Sequence, residues 1–483
     1  MDRTDRIARH TFEVFVFMVV IGALQYFFKI SMARMLTIEG YGLLSTVEPI
    51  VVLTGSFFLS GFAVALSKYL SEEIAKNNRE TAENYIVTAL YYLFPLSIGV
   101  SAVMILLSDS LAEVIFHEPQ LGILIRIIVL ILPIDAVWLI LEGIFLGCQE
   151  SPYYTYALLI YNAAVLFGAL FLVSRGMGAE GAVTAMVISD ISGLTAAYIF
   201  YVRKFKKRIS FQGKRSLALF RNLITFAIPK TVATVSMIIL MSFDIFCITY
   251  FLGVTHAGLY NAAVPIARVL LLITRSICLP LLPAISEDYA KGEEYISSYL
   301  ADAFKYVSAA TIPLVLVCTI YSEELITLFF GVSYVDASRV LGILSAATLT
   351  MGYCSVFSVT FQGMGRPDIP MKTSVFAVFL NILLNIYLIP RVGIEGAAFA
   401  TLVSMLTNFV YFSYRIRGYI DLGRVRSDIL KIGVLSFILL VVLLLFSGSF
   451  LVGTGLGLAF YGLAVIMWKV VDIRKFISRI EEA

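Results

Sequence analysis

Along the 483 residues, apolar runs of about 20 or more positions recur, each closed by a short polar or glycine-rich break. A helix rising about 1.5 Å per residue needs about 20 such residues to cross a hydrocarbon core, so each run predicts a spanning helix. About fourteen are expected. The first six cover 11–31, 43–69, 84–107, 121–147, 153–173 and 179–202, and the next six cover 220–251, 258–285, 300–321, 337–363, 370–389 and 395–416. Two more, at 431–448 and 452–470, follow. The fold class is therefore all-α, a polytopic membrane protein. Pro49, Pro95, Pro133, Pro229, Pro265 and Pro313 fall inside these runs, where a missing amide hydrogen and a ring clash bend a helix.

The pattern repeats at an offset of about 216 residues. Gly42-Leu43 and Pro49-Ile50 correspond to Gly258-Leu259 and Pro265-Ile266, and Ser71-Glu72-Glu73 to Ser286-Glu287-Asp288. Phe145 and Gly147 fall on Phe361 and Gly363, while Glu180-Gly181-Ala182 and Ser189 fall on Glu395-Gly396-Ala397 and Ser404. Each repeat holds six spans, an even number, so both begin on the same membrane face and are parallel. The expected organisation is an N-terminal six-helix bundle at 1–205, a basic cytoplasmic linker at 206–219, and a second bundle at 220–420. A two-helix hairpin with a cytoplasmic tail follows at 421–483. Two similar bundles suit a transporter that rocks about a site between them.

Composition reinforces this reading. With 60% hydrophobic residues, 14% charged and a mean hydropathy of +0.92, the chain is far too apolar for a soluble globule. The first run follows basic residues as a signal peptide would, but Glu13 and Gln25 interrupt it and no small-residue cleavage pattern follows, so it is expected to be retained. Positive charge is partitioned. Arg3, Arg6, Arg9, Lys76, Arg79, Lys291, the run from Arg203 to Arg215, and Arg415, Arg417, Arg424 and Arg426 fall on one face with the tail. The other face keeps little beyond Arg175, Arg339 and Arg391. The positive-inside bias then places both termini in the cytoplasm and the chain, multi-pass, in the cytoplasmic membrane.

The chemistry that the sequence excludes narrows the field. No loop much exceeds about 20 residues, too short for a soluble catalytic domain, and Gly213-Lys214-Arg215 lacks the upstream glycine of a phosphate-binding loop. His10, His117 and His256 are widely separated and offer no metal-ligand spacing, so no metal and no catalytic residue is expected. Five scattered cysteines read as packing filler, and a net charge of +3 gives no reason to expect nucleic acid.

Ionisable groups within spans remain. Each costs about 2.5 kcal/mol or more at mid-membrane and is expected to face a cavity or partner. Arg268 and Arg275, seven residues apart, form a stripe on one face of the eighth span. In the fourth span Asp135 and Glu142 share a face and Arg126 lies opposite, while Lys230 and Asp244 share a face of the seventh. Lys29, Arg34 and Glu48 lie near the ends of the first two spans. Arg34, Arg126, Lys230, Arg268 and Arg275 are the candidate substrate-binding cations, since arginine grips oxyanions bidentately. Glu48, Asp135, Glu142 and Asp244 are the candidate coupling or gating acids.

Ala33-Arg34-Met35-Leu36 with Glu39-Gly40-Tyr41-Gly42-Leu43, Asp244 followed by Phe251-Leu252-Gly253 and Ala257-Gly258-Leu259-Tyr260, and Gly393-Ile394-Glu395-Gly396-Ala397-Ala398 form an ordered series. In it the chain resembles the polysaccharide or O-antigen flippase family of the multidrug, oligosaccharidyl-lipid and polysaccharide exporter superfamily. The resemblance implies two bundles in a V around a central cavity that alternates between faces, moving a lipid-linked oligosaccharide whose tail stays in the bilayer. It implies no cofactor. The substrate would be anionic or pyrophosphate-bearing, moved with or without coupling to H+ or Na+, with membrane lipid as surroundings and no nucleic acid. Two alternatives stand beside it, a cation-coupled multidrug antiporter of the same superfamily and a membrane-embedded transferase.

Overall fold

The computed structural model describes residues 3–291, 296–417 and 422–468. Side chains at 1–12, 288, 290–296 and 418–429, and the tail from 469 onward, lie outside the described residues, so the share of the basic bias carried by Arg3, Arg6, Arg9, Lys291, Arg424, Arg426 and the tail is not placed. Among the described residues all regular structure is helical. The helices are α1 (Arg3–Met35), α2 (Ile38–Ala75), α3 (Arg79–Ser110), α4 (Gln120–Ile128), α5 (Ile131–Gly147), α6 (Ser151–Leu172), α7 (Gly178–Phe200) and α8 (Leu217–Leu252). They continue as α9 (Val254–Lys291), α10 (Ile296–Ile320), α11 (Ser322–Phe329), α12 (Ser338–Gly363), α13 (Asp368–Val392), α14 (Ile394–Ile416), α15 (Leu422–Leu445) and α16 (Phe450–Met467).

Among the described residues twelve stretches are long and apolar enough to cross a membrane. One of them, Ser151–Phe205, is two antiparallel helices, α6 and α7, folded back where Gly176 and Gly178 take positive φ. With the shorter apolar helix Leu430–Leu445 this agrees with the fourteen spans expected. The fourth span is broken into α4 and α5 because Pro133 cannot donate to the Val129 carbonyl. That carbonyl accepts the Leu132 N–H at 3.2 Å and the Ser101 hydroxyl of α3 at 2.5 Å.

The chain divides into two compact units, Met1–Gly258 and Leu259–Ala483. The repeat places the start of the second bundle at 220, whereas packing keeps α8 with the first unit, and the reason is local. Phe220 stacks on Tyr92 of α3 (4.2 Å between centroids) and on Phe62 of α2 (6.0 Å). Gly61 lets α2 approach so closely that a Cβ there would overlap the Ala227 carbonyl. Further along, the buried Thr46 and Thr249 hydroxyls meet at 2.9 Å. At the end of this seam the repeat-related Gly42 and Gly258 face each other, each occupying space that a side chain on the other helix would need.

Equivalent glycines also pack equivalently inside each unit. Gly147 on α5 sits against Leu70 of α2, and Gly363 on α12 against Ile285 of α9. Ser189 and Ser404 are both buried and both donate to the carbonyl one turn back. In the second unit Tyr321, fully buried after α10, donates its hydroxyl to the Leu443 and Phe446 carbonyls and stacks edge-on against Phe450. It thereby fastens the α15–α16 hairpin to its bundle.

The basic segment after α7 is an ordered strap. Tyr201, Phe205 and Ile209 recur every fourth residue and are buried, leaving the cations between them exposed. The N–H groups of Ser210, Lys214 and Ser216 then donate to the side chains of Glu83, Asn84 and Thr88 along α3.

Candidate functional site

Within the first unit α2, α5, α6 and α7 enclose a cavity of about 420 Å³. Four carboxylates line it: Glu48 from α2, Asp135 and Glu142 from α5, and Asp190 from α7. Asp135 and Glu142 fall seven residues apart and so present to one face of α5. Asp135 points towards Gly55 of α2, where a Cβ would lie 3.9 Å from its Oδ2. Asp190 is brought in by its neighbour one turn on: Gly193 leaves so little room that a Cβ would meet the Trp138 ring at 2.6 Å, drawing α7 against α5. Trp138, Tyr154 and Tyr161 complete an aromatic wall with two phenol hydroxyls.

Among the described residues Asp135, Glu142 and Asp190 have no ion-pair partner, and Glu48 is held by Lys29 of α1 at 3.6 Å. That pair opens into a second cavity of about 170 Å³, which shares Glu48, Tyr161 and Met186 with the first. No group of three or more His, Cys, Asp and Glu side chains among the described residues gathers closely enough to hold a metal ion. The carboxylates are a property of one repeat. At the duplication offset Glu48, Asp135, Glu142 and Asp190 correspond to Val264, Met351, Ser358 and Met405. The fold is therefore built in the second half without these carboxylates.

Three of the four acids expected to couple or gate thus share one cavity. Asp244, the fourth, is 5% exposed in the first unit and is engaged by other groups. Arg126 faces away from the cavity, where it pairs with Asp109 and donates from Nε to the Ser108 hydroxyl at 2.9 Å. Arg34 is exposed but not free, and Lys230 is exposed on α8. On α9 of the second unit Arg275 is exposed, whereas Arg268 is half-buried and engaged. Asp190 is the acid that the sequence reading did not name. The signal was there, a carboxylate inside a predicted span and directly after the repeat-marked Ser189.

A family model described as polysaccharide biosynthesis protein matches residues 8–288, more than half of the chain. The chain belongs to the polysaccharide biosynthesis protein family. As a member it also matches, over residues 229–387, the model described as MatE. A relative from Haloferax volcanii named "Probable low-salt glycan biosynthesis flippase" is 25% identical over 266 residues, a stretch covering 54% of this chain and 54% of that relative's length. Among solved structures, the lipid II flippase MurJ in an inward closed conformation matches with a TM-score of 0.78 over 94% of this chain and 98% of its own, at 16% identity. A multidrug resistance MATE family transporter in an inward-facing conformation matches with a TM-score of 0.68 over 82% and 94%, also at 16% identity. This chain shares their fold.

Proposed function

We propose that this protein flips a lipid-linked oligosaccharide or polysaccharide precursor across the cytoplasmic membrane by alternating access, with cation uptake at the carboxylate cavity as the coupling step. The observation that carries the coupling is the cavity itself. An ionised carboxylate inside a membrane-spanning bundle costs about 2.5 kcal/mol or more, and several facing one space repel one another. A group of them kept in one repeat and dispensed with in the other serves a role that the fold does not require. The cation taken up is a proton or a sodium ion. Binding a cation stabilises whichever arrangement of the surrounding helices holds the acids together, and differential affinity of this kind is what a conformational shift requires.

Family membership and the names of the relatives support the glycan substrate class. Arg268 and Arg275, with Arg34 and Lys230, supply the cations for a phosphate or acidic sugar, and Asp244 serves as a gating acid. The strap-bearing face, with both termini, is cytoplasmic on this reading. The match to the MatE model favours one alternative, a cation-coupled antiporter of amphipathic organic solutes.

Purified protein in proteoliposomes, given a fluorescent pyrophosphoryl-lipid oligosaccharide and an imposed pH gradient, separates the two. Accelerated transbilayer movement of the glycolipid, abolished by Arg268→Ala with Arg275→Ala and reduced by Arg275→Lys, supports flipping. Gradient-driven extrusion of an organic cation, with no effect on the glycolipid, would establish the antiporter instead.

A further inference from the structure

The first unit has a further polar cavity, at the helix ends beneath the basic strap and apart from the carboxylates. It measures about 450 Å³, within the range of small-ligand sites, and its polar lining is Ser71, Asn77, Arg79, Cys148, Gln149 and Arg208. No carboxylate lines it. Arg79 is held in place, donating from Nε to Glu83 at 2.8 Å and from one terminal nitrogen to the Lys207 carbonyl at 3.0 Å. Arg208 has no ion-pair partner among the described residues. The surrounding segments 68–84, 148–150 and 201–216 carry ten cations against five carboxylates.

Backbone conformation supplies an independent pointer. Gln149 adopts φ of 60°, in the left-handed region that disfavours a side chain, while its repeat counterpart is Gly365 with φ of 69°. The turn does the same job in both halves: each closes its helix, with N–H bonds from Gln149 to Leu146 and from Gly365 to Gln362. The second repeat uses the residue that the geometry prefers, and the first keeps a strained amide side chain that faces the cavity. Strain retained at one copy of a duplicated turn is the mark of a site in use.

We propose that this cavity binds the phosphate-bearing headgroup of an anionic phospholipid from the leaflet in which the strap lies. The guanidinium of Arg208, which lines the cavity together with the fixed Arg79, takes the phosphate oxygens, and the amides of Asn77 and Gln149 donate to the remaining oxygens or to a glycerol hydroxyl. The exposed cations of the strap raise the local concentration of anionic lipid. The cavity is lined by the ends of α2 and α5, the start of α3 and the Cys148–Gln149 turn, a place at the helix ends where a headgroup sits while its acyl chains stay in the bilayer. The inference does not depend on what the protein transports.

The test is native mass spectrometry of the full-length protein in detergent, titrated separately with phosphatidylglycerol, phosphatidylcholine and inorganic phosphate, together with the rate of Cys148 alkylation. Cys148 is the one cysteine of the five that is not buried, so it reports on this cavity. One phosphatidylglycerol should bind tightly and slow alkylation. Arg208→Ala should weaken that binding about ten-fold or more, whereas Lys204→Ala, which removes equal charge from the strap outside the cavity, should change it less than about two-fold. Gln149→Gly should relieve the backbone strain, leaving thermal stability equal or higher, and yet weaken binding. Equal losses for Arg208→Ala and Lys204→Ala would reduce the effect to a diffuse surface field and overturn the site. So would phosphatidylcholine binding as tightly as phosphatidylglycerol. Protection of Cys148 by inorganic phosphate alone, to the same extent, would overturn the lipid assignment in favour of a soluble phosphate.

Discussion

Replacing Gly42 by alanine tests a close contact between α2 and the start of α9 in the first unit. A Cβ on Gly42 would overlap the Val254 carbonyl oxygen and lie 3.1 Å from the Gly258 nitrogen, and one on Gly258 would lie 3.0 Å from the Gly42 nitrogen. Both obstacles are backbone, so no side-chain rotation relieves them, and the helices must separate. Overpacking of this kind costs about 1–3 kcal/mol, and an obstacle that cannot move aside belongs at the upper end. Alanine returns up to about 1 kcal/mol through its better helix propensity. The net loss is about 2 kcal/mol, roughly thirty-fold in the equilibrium between the closed seam and any state in which it parts. Gly22→Ala is the matched control, because a Cβ there meets nothing within 4 Å and only the propensity gain remains. Thermal unfolding of the detergent-solubilised proteins should rank Gly42→Ala below wild type and Gly22→Ala at or above it. A cysteine replacing the buried Thr46 should be alkylated faster when Gly42→Ala is also present. Equal unfolding temperatures for Gly42→Ala and Gly22→Ala, with no change in that alkylation rate, would refute the idea that this crossing is held by the glycine pair.

Three further expectations follow from the same geometry. Asp190→Asn should abolish the response of glycolipid movement to an imposed pH gradient while leaving purified yield and unfolding temperature near wild type; an undiminished response would remove Asp190 from the coupling site. Ser174→Cys and Gln212→Cys, each as the sole cysteine, should label oppositely in intact cells, with the first reacting with an impermeant thiol reagent and the second shielded; the reverse pattern would invert the proposed orientation. Burial pushes the Cys148 thiol up to about 11, against the opposing pull of Arg208, so its thiolate fraction, and with it the alkylation rate, should rise about ten-fold per pH unit from 7 to 10 and level off only near 11. A plateau near pH 9 would show the thiol to be solvated rather than enclosed.

Much of this molecule is decided along the chain. Bilayer thickness fixes the length of a spanning run, so helix number and approximate limits follow from hydropathy, even where Ser151–Phe205 is helical through its turn and the fold-back rests on glycines with positive φ. The duplication is legible for the same reason that its glycines recur: Gly147 and Gly363 each make room for a close helix contact that no larger residue permits. The relative azimuth of Asp135, Glu142 and Arg126 also follows from the helical period, and the structure keeps the two acids in one cavity with the arginine turned away. Which helix each face meets is another matter. In a membrane both lipid and protein neighbours are apolar, so hydrophobicity does not tell an inward face from an outward one. Only the packed structure brings Asp190 from α7 to the acids of α5, through the space that Gly193 leaves beside Trp138. Only packing holds α8 against α2 and α3, through Phe220 and the Gly61 crossing, although the repeat assigns it to the second half. The basic segment read as a linker becomes a strap because its bonds run from its own backbone to side chains about 130 residues earlier, a register that no local pattern encodes.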